Sequence, residues 1–264
     1  MKDQDHINNK TFPGWYCCKQ VEFGGETATW ELSQTGRYSF IEAYQKTPHR
    51  QLVKASTDQQ LRAFVKAWGP LRGRLDGWSG KDSIETYRKE RDRLVAAVGL
   101  LASVAEPQYQ RDSLLEWVKI SAWDMPSEIV LAGLRTLFPI PGEYSGVFDT
   151  ELEQWIERAT VRELQAATEY LVASLPIRTQ DAGYEVERHR RSRVLRACLK
   201  IASLTDALHW MVWQDVFQER RFQFCDECRV LFQPDTRHTK KFCSPECAHR
   251  KTARESARRR RKED

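Results

Sequence analysis

The chain of 264 residues contains no long apolar run. Its longest, Leu94 to Ala105, is too short to cross a bilayer and is interrupted by Gly99 and Ser103. The first ten residues are polar, lack an apolar signal core, and are expected to be disordered. These absences speak against a membrane protein and against export, and make a reducing cytoplasm the expected location. Catalytic signatures are missing as well: there is no phosphate loop, no nucleophile elbow and no His-Glu-x-x-His. Gly73, Gly77 and Gly80 lack phosphate-loop spacing and read as turn residues. Asp124, Glu128, Asp149 and Glu151 are scattered at cap-like positions. The expectation is a protein that is not an enzyme. No internal repeat and no low-complexity tract precedes the C-terminal tail. The first 234 residues also lack any excess of charge, with 31 Lys/Arg against 32 Asp/Glu.

What is present gathers at the C-terminal end. Residues 235–264 hold 11 Lys/Arg against 5 Asp/Glu, so the net charge of +5 arises entirely there. One-sided charge of this kind is the usual footprint of nucleic-acid contact. Beside it stand Cys225-Asp-Glu-Cys228 and Cys243-Ser-Pro-Glu-Cys247. Zinc takes four tetrahedral ligands, and thiolate is among its best. A two-residue gap lets one knuckle turn aim both sulfurs at a single point. A three-residue gap sets Cys243 and Cys247 about one helical turn apart, astride a helix start. Paired thiols in a reducing compartment favour metal over disulfide. The expectation is one structural Zn2+ held by Cys225, Cys228, Cys243 and Cys247, with an iron–sulfur cluster as the alternative use of four thiolates. His238 and His249 are alternative ligands, but four thiols already complete a tetrahedron and leave no open position for catalytic water.

The residues around the thiols predict a small finger. Phe222 and Phe224 alternate with polar residues as a first strand, Val230 to Phe232 form a second, and Lys240 to Cys243 a third. Ser244 is a strong N-cap, Pro245 suits the first helical position, and Glu246 suits the positive helix end. A knuckle, a hairpin and a helix whose first turn carries the last ligand describe a treble-clef finger. Its expected core is Phe222, Phe224, Val230, Phe232 and Phe242, so metal binding would supply much of its folding free energy. Beyond it, Arg250, Lys251, Arg254, Arg258 and Arg261 recur mostly at steps of three and four and make a positive stripe. Together with Arg237, Lys240 and Lys241 these are the candidate nucleic-acid contacts. No large apolar residue follows Phe242, so a solvated, fraying tail is the competing expectation for the helix.

The remainder reads as mainly α with a small N-terminal β element. Gly24-Gly25 signals a hairpin, and a second turn is expected at Gln34-Thr35-Gly36. The vicinal Cys17 and Cys18 point to opposite sides of an extended chain and read as packing residues. Leu61, Phe64, Val65 and Trp68 mark a helix opened by Thr57-Asp58 and closed by Gly69-Pro70. Asp82 with Glu85 reads as a capping box before a long helix through Ala102. Shorter helices are expected over 113–123 and 128–137, and a turn-rich linker at 139–149 offers a subdivision. Capping boxes at Thr150/Glu153 and Thr160/Glu163 open two further helices. Val186 to Phe217 reads as two helices, with Cys198 a buried thiol and His209 a satisfied packing residue.

The stretch Phe242-Cys243-Ser244-Pro245-Glu246-Cys247-Ala248-His249-Arg250-Lys251 resembles the C-terminal zinc finger of the bacterial CGNR family. That finger has a cysteine pair, a hairpin, an aromatic-Cys-Ser-x-x-Cys-Gly-Asn-Arg-x-Lys stretch and a basic helix. The four cysteines, the aromatic before Cys243 and Arg250 match. Ala248-His249 stands where the family has Gly-Asn, and the second cysteine gap is longer by one, as in a divergent member. The segment from Leu61 to Leu71 is similar to the opening of the helical ABATE domain of larger members. The resemblance implies an ABATE-like domain over 11–220, a zinc finger with its basic helix over 221–264, and a DNA-binding transcription regulator. A homodimer and a small-molecule effector of the large domain are compatible with it. Two other readings stand beside it. One is an RNA-associated protein using the same surface, with Phe222 and Phe224 stacking on bases. The other is a protein-interaction module whose tail only solubilises.

Overall fold

The computed structural model describes residues 16–37, 40–71, 79–121, 134, 138, 150–174, 183–188, 195–201, 203–220, 222–234 and 240–263. It is mainly helical, with a small three-stranded antiparallel sheet near the N-terminus. The chain forms two compact units, one from residues 1–94 with 176–214, the other from residues 95–175 with 215–264.

The first unit contains the sheet. Strand β1 (Tyr16–Gly24) turns into β2 (Thr27–Arg37) at Gly25, whose φ of +62° suits glycine. Gly24 pairs with Thr27, so the hairpin falls where the Gly-Gly signal predicts it. Ala28, Trp30 and Leu32 are buried at alternate positions of β2, the period of a half-buried strand. The turn expected at Gln34–Gly36 does not form. β2 continues to Arg37, which pairs with Tyr16, and the irregularity is absorbed as two register shifts in β1 on either side of Cys18. Helices α1 (Phe40–Lys46) and α2 (Pro48–Lys54) follow the sheet strand.

Helix α3 (Asp58–Trp68) matches expectation closely: Thr57 and Gln60 form the capping box, and Leu61, Phe64, Val65 and Trp68 are its buried face. Gly69 ends it at a φ of +80°. The glycine-rich stretch leads into a strand that was not anticipated, β3 (Ser79–Ser83), paired with β2. Gly80 has a packing reason there, since a Cβ would stand 2.6 Å from the Trp30 indole. The strand also moves the cap of the long helix α4 (Ile84–Ala105). Ser83 Oγ accepts from the Thr86 N–H at 3.2 Å, while Asp82, the expected cap, accepts instead from the Tyr87 hydroxyl at 3.3 Å.

Between Val186 and Phe217 one helix rather than the expected two is found among the described residues, and strands stand where the first was expected. Strands β4 (Gly183–Arg188) and β5 (Leu195–Lys200) pair antiparallel as a hairpin. Leu195 and Leu199 fit a helical face, but Leu195, Ala197 and Leu199 fit strand alternation equally, and the pairing partner decides. One helix follows, α8 (Leu204–Phe217), burying Leu204, Ala207, Leu208 and Met211. His209 Nε2 lies 2.8 Å from Glu90 Oε1, a satisfied packing histidine as expected.

The second unit is built on helices. Besides the end of α4 it contains α5 (Gln110–Ser121), α6 (Thr150–Arg158) and α7 (Val161–Ser174). Leu100, Leu114, Trp117, Ile156, Leu164 and Leu171 share one core. Arg111 fastens the turn between α6 and α7 by donating to the carbonyls of Glu157 and Ala159. The Thr160/Glu163 capping box forms: the Thr160 N–H donates to Glu163 at 2.7 Å, and the Glu163 N–H to Thr160 Oγ1 at 3.3 Å. Thr150 lies inside the first turn of α6 rather than before it. Apart from Leu134, buried in this core, and Phe138, packed against it, the expected helix 128–137 and the linker 139–149 lie outside the described residues.

Candidate metal centre

The last part of the second unit carries the four thiols. Strands β6 (Gln223–Phe224) and β7 (Leu231–Phe232) pair antiparallel, and the turn between them is the knuckle. The Cys225 N–H donates to the Val230 carbonyl, and the Arg229 N–H to the Cys225 carbonyl. Arg229 closes the turn at a φ of +62°. The segment from Lys240 to Cys243, expected as a third strand, is irregular. It is tied in through the Asp226 N–H, which donates to the Lys241 carbonyl at 3.1 Å. Helix α9 (Pro245–Glu263) then starts as predicted: Ser244 Oγ accepts from the Cys247 N–H at 3.3 Å, and Pro245 takes the first helical position. Phe222 and Phe232 are buried as expected. Val230, expected in the core, is 52% exposed, whereas Leu231 and Phe232, the two residues of β7, are both buried.

These elements bring Cys225, Cys228, Cys243 and Cys247 together with all four sulfurs within 4.8 Å of one another. Sγ of Cys243 lies 3.4 Å from that of Cys228 and 3.5 Å from that of Cys247. Thiolates bound at about 2.3 Å around one tetrahedral ion stand roughly 3.8 Å apart, so the set fits a single metal ion. Cys225 and Cys247 are buried, and Phe232 and Phe242 pack around them.

The electrostatics suit a cation. Burial works against ionising Cys225, but the amides of Cys228, Cys243 and Glu227 outweigh it and pull the thiol down to about 6. Arg250, donating to Cys247 Sγ at 3.0 Å, holds that thiol below its ordinary range. Burial pushes the thiols of Cys228 and Cys243 up, and at Cys243 the neighbouring sulfurs add to it. Four thiolates this close repel one another, and a dication at their centre removes that repulsion.

The candidate nucleic-acid residues have diverse settings. Arg250 is engaged with Cys247 Sγ, and Arg254 with Glu227 in the knuckle. The Cys247–Arg250 spacing of three was the available signal for the first contact, and sequence reasoning missed it. Lys240, Lys241 and Arg258 are exposed, and Lys251 is half-buried. Arg261 belongs to α9, while Arg237 and His238 lie outside the described residues. His249 is exposed and is not part of the thiol group.

The finger does not stand alone. Phe224 packs on Tyr109, with ring centroids 4.5 Å apart, and its N–H donates to Glu106. Burial raises the Glu106 carboxyl. Among the described residues no helix is long and apolar enough to cross a membrane. No protein-family model, curated protein or solved structure matches the chain.

Proposed function

We propose that this chain is a nucleic-acid-binding regulator with DNA as its first target, in which one structural Zn2+ fixes the base of a basic helix. The observation that carries the proposal is the bracing of α9. Its first turn holds Cys247, Arg250 reaches back to that sulfur, and Arg254 pairs with Glu227, whose side chain is 3% exposed. The distal half presents Arg258, Arg259 and Arg260 to solvent. A tail serving only to solubilise needs no such bracing. The likeness of Phe242–Lys251 to the CGNR finger supports the same reading, and the order of knuckle, hairpin and helix supports a treble-clef finger. Zinc is favoured over an iron–sulfur cluster because the four thiolates of a cluster are divided among two or four irons, so the set stands wider apart than these. Duplex DNA is favoured over single-stranded RNA because Phe222 is buried and Phe224 is packed on Tyr109, so neither is free to stack on a base.

The test is fluorescence anisotropy of zinc-loaded protein with duplex DNA across a salt series. Binding should weaken with a log–log slope of about −0.9 per phosphate neutralised. Replacing Arg258, Arg259 and Arg260 by Gln should flatten that slope by roughly 2 to 3. Failure to bind duplex DNA or RNA at low salt overturns the proposal, and preference for RNA in competition transfers it to RNA.

A further inference from the structure

A cleft of about 230 Å³ lies where the end of α4 and the face of α5 meet the strands of the metal module. Three features of its wall have no structural explanation as they stand. Gly99 sits in the interior of α4, where glycine weakens a helix. Its φ is not positive. A Cβ there would meet Ser113 Oγ at 3.7 Å, Leu231 Cδ1 at 3.8 Å and Phe224 Cζ at 3.9 Å, all ordinary contacts. Neither backbone conformation nor close packing requires glycine, and the missing side chain leaves the cleft open.

Ser113 lines the same space. It is 5% exposed, and its Oγ has no hydrogen-bond partner. Burying a hydroxyl without a partner is costly, so such groups mark a missing one. On either side of it along α5, Asp112 and Glu116 line the cleft with exposed side chains. They are four residues apart, like charges on one helical face, and neither has an ion-pair partner among the described residues. The one cation in the wall among the described residues, Arg229, has its guanidinium over the Tyr109 ring, 4.8 Å from the centroid. The remaining surface is largely apolar, from Val95, Leu231 and Phe224.

We propose that this cleft binds a small organic ammonium with a compact apolar body. The body lies over Gly99 between Val95, Leu231 and Phe224, the ammonium faces Asp112 and Glu116, and Ser113 Oγ hydrogen-bonds its polar end. The ligand touches both the helices and the strands that carry the knuckle, so its binding stabilises their packing. The site does not depend on nucleic-acid binding.

Calorimetric titration of the zinc-loaded full chain with phenethylamine, 2-phenylethanol and 3-phenylpropionate tests it. Phenethylamine should bind at least about tenfold more tightly than the neutral or anionic analogue. The exposed pair Asp112→Asn with Glu116→Gln should remove that preference while leaving melting temperature and zinc content unchanged. Gly99→Leu should abolish binding. Gly99→Ala, which keeps the fold and favours the helix, should weaken it. Equal or tighter binding of 3-phenylpropionate overturns the proposal. So does unchanged phenethylamine affinity in the carboxylate variant, or no saturable binding of phenethylamine at millimolar concentration.

Discussion

Arg250 shows what a single side chain adds to the metal centre. Its guanidinium donates to Cys247 Sγ, so it stabilises the thiolate form of a ligand. Arg250→Gln should therefore weaken retention of the proposed zinc by about tenfold, read as faster loss to a competing chelator, while the four thiols stay in place. Arg258→Gln serves as the control and should leave retention unchanged, since Arg258 is exposed on the distal half of α9. The ligand cysteines were legible in the sequence because their spacing is dictated by one turn and one helical start. The role of Arg250 was not, because a cation on a helix reads equally as a phosphate contact until its neighbour is known. The same limit applies at Val230 and Leu231: both are apolar, and only the packing around them decides which is buried.

Among elements, α7 gives the clearest case of local control. Thr160 and Glu163 satisfy each other's backbone donors, and the Thr160 hydroxyl and N–H hold the Glu163 carboxyl below its usual range. A depressed carboxylate stabilises the fold above its unfolded pKa and loses that contribution as pH falls through its folded pKa. Relative to Glu163→Gln, the native protein should hold a constant advantage above about pH 5 and lose it as the solution is acidified. Chemical denaturation of the two proteins across that range checks this, and an advantage growing in acid would contradict it. The Thr160/Glu163 capping box and the apolar face of α3 were legible because they are short-range. The strand β3 and the hairpin of β4 and β5 were not. Their residues carry weak or ambiguous periodicity, and pairing with a distant partner selects the strand.

In the whole molecule, the metal module shares a compact unit with the helices around residues 95–175, while β1–β3 and α3 belong to the other. Each unit has buried apolar side chains of its own. If the four thiols hold the proposed zinc, chelating it should raise hydrogen exchange across residues 222–263 and leave β2 and α3 protected. Exchange rising equally in β2 would show that the metal supports both units. Metal analysis of the native protein should give about one zinc per chain. The sequence by itself determined which four thiols cluster, the start of α9, the concentration of positive charge and the helical face of α3. Each depends on residues within a few turns of one another. Only the tertiary structure decided that Phe224 and Leu231 face α4 and α5 rather than the metal, that Arg250 and Arg254 brace the helix, and that Gly99 and Ser113 open onto one cleft. The first of those relations joins residues more than a hundred positions apart, and even Arg254 with Glu227 or Gly99 with Ser113 meet across separate elements, so no local pattern encodes which surfaces packing will bring together.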